Sequence, residues 1–371
     1  MPWRDKFVEH LASGNLGGIT IGAWLRLLIE NRFAISPFCF ARALSTTLQT
    51  PLNSLMKQVE EVRYGRSIRS AVVMPPLFVI GHWRSGTTHL QQLLVADSRF
   101  ASPNLYQVFF PHTFLTTEAL NAKMIEFFLP RRRGFDNVRQ HVRMPHEDEI
   151  ALCSMSGCTS YLSMVFPRRA AYYDRFLTFR EADESEKQRW RHDLEWFLRK
   201  LTLKHGKPLI LKSPPHTCRI AMLLNMFPDA RFVHIHRNPY AVFQSTMRLL
   251  DRAMKMTRLQ GTNEIDWLER TLRSYREMYD VFFEERPLIP DGRLCEVAFE
   301  DLESNPIGQL RRIYETLGLP DFQACERDVR DYSSSLSEYQ KNEFAELPSD
   351  LRKIVGERWQ PSFDEWNYPS S

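Results

Sequence analysis

The chain has 371 residues, with 49 Lys and Arg against 45 Asp and Glu, a formal net charge of +4. Apolar residues make up 43% and charged residues 25%, ordinary values for a folded protein, which exclude a disordered chain, a collagen-like repeat and a coiled-coil rod. So small a net charge makes no case for nucleic acid as a partner, yet it suits a site for one small anionic ligand. The six cysteines, Cys39, Cys153, Cys158, Cys218, Cys295 and Cys325, form no C-x-x-C pair, and no His cluster has zinc-ligand spacing. We therefore expect free thiols in a reducing, cytoplasmic compartment and no metal. The opening MPWRDKFVEH lacks the apolar centre of a signal peptide, and Gly17 to Phe33 is interrupted by Arg26, Glu30, Asn31 and Arg32, too short and too charged to span a bilayer.

In chain order, residues 1–74 read as a helical N-terminal extension. Ile21, Trp24, Leu25, Leu28 and Ile29 repeat at helical spacing, as do Leu52, Leu55, Met56 and Val59. Two readings are open for these amphipathic faces: packing on the main domain, which we expect, and peripheral contact with a membrane surface. Pro75-Pro76 close the segment, and residues 75–371 read as the main domain. Leu77 to Gly81 is a short apolar run suited to a buried parallel strand, followed by a helix from Thr87 to Val95. Further helices are expected from Phe114 to Phe128, from Pro145 through the acids Glu147, Asp148 and Glu149, and from Glu184 to Leu203. Three more strands follow, Pro208 to Lys212, Arg231 to His236 and Arg293 to Phe299, each leading into a helix. Strands alternating with helices imply an α/β fold, a central parallel sheet with helices on both faces. Acting groups should then gather at the carboxyl ends of the strands, where Arg84, Lys212 and Arg237 fall.

The strongest chemical signal is strand–GHWRSGTT–helix, Gly81 to Thr88. A tight loop feeding a helix N-terminus offers backbone N–H groups and the positive end of a dipole. Gly86 lets the backbone approach a phosphate, Thr87 and Thr88 add hydroxyls, and Arg84 adds a permanent charge. The loop differs from the nucleoside-triphosphatase pattern G-x-x-x-x-G-K-[ST]. The second signal is Arg237, at a strand end, with Ser245 eight residues on in the following helix. Over that distance the two side chains can converge on one phosphate. Two anion sites at neighbouring strand ends suit a nucleotide with phosphates at both ends. A triphosphate kinase would need a carboxylate for Mg²⁺ at a neighbouring strand end, whereas these strands end in histidine and lysine. The absence of an acid there speaks against such a kinase.

These residues resemble the sulfotransferase superfamily, whose donor is 3′-phosphoadenosine-5′-phosphosulfate. Arg84-Ser85-Gly86-Thr87-Thr88 is similar to the family's [KR]-x-G-[TS]-[TS] loop for the 5′-phosphosulfate, in the Arg form of the tyrosylprotein and carbohydrate enzymes rather than the Lys form of the cytosolic phenol and steroid enzymes. Arg237 and Ser245 match the family's pair for the 3′-phosphate. LKSPPH from Leu211, FEDLESNP from Phe299 and IYETLGLP from Ile313 extend the resemblance over Pro76 to Pro320, and PHEDEIAL, Pro145 to Leu152, looks like a segment of bacterial members. The resemblance implies a P-loop-like sulfotransferase fold, a metal-independent enzyme, and a lysine after the second strand, Lys212, stabilising charge on the leaving oxygen. It also implies a basic loop closing over the nucleotide near Lys341, although the sequence there is not the family's R-K-G.

The protein need supply no nucleophile, because the acceptor's hydroxyl attacks; it needs a base near that hydroxyl. The K-x-H histidine of the cytosolic enzymes is absent, since Ser213-Pro214 follow Lys212 and His216 stands four residues on. Other branches use a glutamate, which makes Glu147 and Glu149 the candidates beside His216. The acceptor stays open among a lipid, sterol, aromatic or carbohydrate hydroxyl. Aromatic residues between Tyr106 and Tyr173 suit an apolar acceptor and a helical core equally. The rival readings are a P-loop-type phosphotransferase and a catalytically inactive nucleotide-binding protein.

Overall fold

The computed structural model describes residues 14–129, 140–262, 265–335 and 346–370. Two N-terminal helices, α1 (Ile21–Glu30) and α2 (Phe40–Ser70), precede strand β1 (Leu77–Ile80) and helix α3 (Thr87–Val95). Then come α4 (Phe114–Phe128), α5 (Glu149–Ser154), α6 (Glu184–His205), β2 (Ile210–Lys212), β3 (Arg231–His236), α7 (Pro239–Thr257), α8 (Trp267–Glu285), β4 (Leu294–Ala298) and α9 (Pro306–Thr316). Helix α2 continues through Pro51, which cannot donate to the carbonyl of Thr47. The Thr50 hydroxyl donates to that carbonyl instead, at 2.9 Å.

The chain forms two compact units. The second, residues 74–102, 207–249 and 266–371, holds the sheet. Its four strands are parallel in the order β2-β1-β3-β4. Strand β1 sits between β2 and β3, so the connections diverge at its carboxyl end, the place where open α/β sheets bind ligands. One sheet face presents Leu77, Val79, Val233, Ile235, Cys295 and Val297 to a core completed by Leu90 and Leu94 of α3 and Leu310 and Ile313 of α9. The other face carries Phe78 stacked on Phe232 at 5.5 Å, with His234 stacked on Phe282 of α8 at 4.2 Å. Helices thus cover both faces, which is why the strands are nearly continuous apolar runs.

One polar residue in those runs is His234, fully buried on β3. Its Nδ1 lies 2.9 Å from Glu296 on β4, and Glu296 also accepts from Arg286 at 3.0 Å. Burial alone would raise the Glu296 carboxyl, but the His234 hydrogen bond and the Arg286 guanidinium outweigh it and hold the group at about 2.

The first unit, residues 1–73, 103–206 and 250–265, is helical. Lys200 of α6 and Glu60 of α2 form a buried ion pair; Glu60 also accepts the Thr116 amide at 2.9 Å, and Lys200 donates to the Pro111 carbonyl. Arg42 ties α2 to the segment after α7 through the Arg258 carbonyl at 2.7 Å.

Two sequence expectations need correction here. Pro145 does not open a helix: it pairs in an isolated antiparallel bridge with Asn104, and α5 starts only at Glu149. A proline suits a first helical turn, yet the bridge holds the backbone extended. In α2 the apolar repeat is the exposed side, because Leu52, Leu55 and Val59 are 64%, 57% and 41% exposed. The helix is buried instead through Ala43, Thr46, Thr50, Gly65 and Ile68, with Arg42 and Glu60 paired inside.

Candidate active site

The loop between β1 and α3 turns sharply at two glycines. A Cβ on Gly81 (φ +141) would lie 2.3 Å from the Ile235 carbonyl oxygen, and one on Gly86 (φ +104) would lie 2.4 Å from the Phe299 ring. Only glycine fits either position. Arg84 between them also adopts a left-handed conformation, φ +71, a strain that the surrounding contacts must hold. The Gly81 amide donates to the Thr217 hydroxyl at 2.7 Å, the His82 amide to the Tyr279 hydroxyl at 3.3 Å, and the Ser85 hydroxyl to the His82 carbonyl at 2.8 Å. The His82 ring is buried under the loop, which pushes its pKa down to about 4 and keeps it neutral near pH 7. Past Gly86 the first-turn amides of α3 have no intrahelical acceptor, and Thr87 and Thr88 supply hydroxyls.

The two sequence signals meet at Arg84. Its Nε donates to the Ser245 hydroxyl on α7 at 2.8 Å, and Arg237 donates from Nη1 to the Arg84 carbonyl at 3.4 Å. Arg237 leaves the end of β3 with its guanidinium 4.3 Å from the centre of the Phe299 ring. Lys212, at the end of β2, is buried and donates to the Thr88 hydroxyl at 3.3 Å. The second unit therefore brings together Arg84, Ser85, Gly86, Thr87, Thr88, Lys212, Arg237 and Ser245. Cations, hydroxyls and a helix N-terminus are the donor set for anionic oxygens. Among the described residues, no group of three or more His, Cys, Asp or Glu side chains is placed to hold a metal ion.

The candidate bases lie apart from that cluster in the chain. His216 is fully buried with its ring edge-on to Phe78 at 5.3 Å, under the sheet. Glu147 and Glu149 belong to the first unit. Tyr161 donates its hydroxyl to Glu147, and Thr159 donates to Glu149 at 2.6 Å, so one short segment orients both acids. Glu147 precedes α5 rather than sharing a helix with Glu149. Lys341 lies outside the described residues.

Sequence reasoning missed Phe299 and Thr217. The first stands directly after the carboxyl end of β4, in a motif noted above without a role; the second follows Lys212 by five residues, in the turn Pro214–Cys218, where no sequence signal pointed to the loop.

A model described as "Sulfotransferase family" matches residues 75–324. The omega-hydroxy-beta-dihydromenaquinone-9 sulfotransferases Stf3 of Mycobacterium bovis and Mycobacterium tuberculosis are 35% identical to the chain over 352 residues, covering 95% of it and 90% of each of them. Among solved structures, sulfotransferase STF9 from Mycobacterium avium aligns with a TM-score of 0.71 at 22% identity, over 94% of this chain and 92% of that one. Sulfotransferase STF1 from Mycobacterium tuberculosis aligns with a TM-score of 0.61 at 16% identity, over 92% and 91%.

Proposed function

This chain belongs to the sulfotransferase family and is a sulfuryl-transferring enzyme; from that premise we propose that its donor is 3′-phosphoadenosine-5′-phosphosulfate and its acceptor the terminal hydroxyl of a membrane lipid. The observation that carries the donor assignment is the convergence of Arg84, Arg237 and Ser245 beside a glycine cradle. The amides of the α3 N-terminus with Arg84, Thr87 and Thr88 hold the 5′ end, and Arg237 with Ser245 holds the 3′-phosphate. The acceptor oxygen bonds to sulfur as the sulfur–oxygen bond to the nucleotide breaks, and the acceptor's proton passes to a protein base. Lys212 faces the charge that grows on the departing phosphate oxygen. Being buried, it acts where water screens it least.

For the base we propose Glu147 or Glu149, since hydroxyl partners already orient both. His216, packed against Phe78, fits the core better. The lipid acceptor is supported by the menaquinone-type substrate named for the Stf3 relatives. No described helix is long and apolar enough to cross a membrane, so the enzyme would meet such an acceptor at the bilayer surface, through its N-terminal helices.

The test is transfer from labelled donor to a panel of polyprenyl alcohols, ω-hydroxylated quinones, sterols, phenols and sugars. Label on the long-chain alcohols alone is expected. Label confined to phenols or sugars would overturn the acceptor, and activity with a nucleoside triphosphate instead would overturn the donor.

A further inference from the structure

Helix α2 carries Leu44, Leu48, Leu52, Leu55, Val59 and Val62, all 41–89% exposed. At 100° per residue these positions fall within about 80° of one another, a single stripe along a rod of roughly 45 Å. Its two acids are both engaged: Glu60 is buried against Lys200, and Glu61 pairs with Arg69 at 2.5 Å. Exposed Arg63 and Arg66 stand at the carboxyl-terminal end of the stripe. By the same arithmetic Arg66 falls on its line and Arg63 about 20° beyond its edge. Helix α1 repeats the pattern with Ile21, Leu25 and Ile29 exposed at 40–63%. The two helices pack together through other groups: the Trp24 indole donates to Thr47 at 2.9 Å, and Asn53 donates to the Ile19 carbonyl at 3.0 Å. Their apolar stripes are thus left out of the packing. Phe33 and Phe38, in the turn between them, are 60% and 62% exposed.

Beside that turn lies a cavity of about 460 Å³, lined by Arg32, Arg168 and Arg169 against the single acid Glu30, with Ile29 on its rim. Arg169 is fixed by donating to the Glu30 carbonyl and by stacking over Tyr172 at 4.2 Å. A monomeric protein rarely leaves so long an apolar surface uncovered. Apolar side chains with arginines at the margin, next to a cationic cavity with room for a phosphate headgroup, match the surface of an anionic bilayer, where hydrocarbon and phosphate headgroups sit a few ångströms apart.

We propose that α1, α2 and the turn joining them form a docking surface for an anionic lipid bilayer: the leucine stripe enters the acyl boundary, and the Arg32–Arg168–Arg169 cavity takes a phospholipid headgroup. The proposal deepens the membrane contact of the lipid-acceptor reading, but its readout does not depend on transfer.

The test is flotation of the full chain with vesicles of phosphatidylcholine alone or of equal parts phosphatidylcholine and phosphatidylglycerol. The chain is expected to float with the anionic vesicles, less so as salt is raised. The triple variant Leu48→Ser, Leu52→Ser, Leu55→Ser should lose about a hundredfold or more in vesicle affinity. Arg32→Gln with Arg168→Gln should lose about 10- to 30-fold, on anionic vesicles only. Both variants should melt as the wild type does and bind adenosine 3′,5′-bisphosphate equally well, which separates lost docking from lost folding. A wild-type chain that never floats, or a serine variant that floats unchanged, overturns the proposal. So does a dimer in sedimentation equilibrium that the serine variant dissociates, because a second copy would then cover the stripe. An arginine variant with unaltered preference for anionic vesicles overturns the headgroup cavity. A chain that floats yet labels only soluble phenols overturns the acceptor reading and leaves the docking surface standing.

Discussion

Two segments carry motif-like sequence, the Gly81–Thr88 loop of the sheet unit and the Pro145–Thr159 stretch of the helical unit, and they differ in how their chemistry is fixed. The loop is set by its own backbone. Gly81 and Gly86 adopt conformations that a Cβ would forbid, and these fix the turn from β1 into α3. The acidic stretch has no such local signature. Pro145 enters a bridge with Asn104, and the two glutamates take their orientation from the hydroxyls of Tyr161 and Thr159, 14 and 10 residues further on. A glycine turn is a local object that sequence can spell out; a base is defined by what its carboxylate faces, which sequence cannot spell out.

The sharpest way to break this comparison is to neutralise the acids. Glu147→Gln and Glu149→Gln keep shape and remove basicity, so the variant lacking the base should lose about 10²- to 10⁴-fold in turnover. Affinity for adenosine 3′,5′-bisphosphate should be unchanged in both. Full activity in both, with His216→Ala inactive, would move the base to the sheet unit and reduce the acids to structure.

Lys212→Ala should lower turnover about 10²- to 10³-fold at saturating donor, since its partner charge develops chiefly in the transition state. Bisphosphate affinity measured by calorimetry should fall much less. Equal losses in both quantities would make Lys212 a ground-state ligand.

Arg237→Ala should cost about 10- to 150-fold in affinity for the 3′,5′-bisphosphate while adenosine 5′-monophosphate binding barely changes. Equal affinities of the wild type for the two nucleotides would remove the 3′-phosphate from this corner of the cradle.

The smallest effect concerns β4, the neighbour of the strand that leads into Arg237. Because the Glu296 carboxyl is depressed from 4.5 to about 2, its stabilising contribution is present above about pH 4.5 and lost as pH falls through about 2. Glu296→Gln should therefore cost about 2 kcal/mol at pH 7, in keeping with a partly shielded pair. Its denaturation midpoint should vary less than wild type between pH 5 and 2. An unchanged acid profile would show that His234 is held by its ring packing alone.

The sequence by itself determined the parallel α/β class, because short apolar runs such as LFVI suit strands buried on both faces, and each such strand leads into a helix. It marked the tight turn after β1 as well, through Gly81 and Gly86, whose backbone conformations act within the loop itself. Tertiary structure decided everything that depends on distant partners. Ser245 receives Arg84 across 161 positions, Gly81 reaches Thr217 across 136, and the Phe299 ring sets the room at Gly86. It also decided which side of α2 is buried. A 3.6-residue repeat shows that a helix has an apolar side, but not whether that side meets protein; here the small and paired polar residues took the inner face and left the leucines outside.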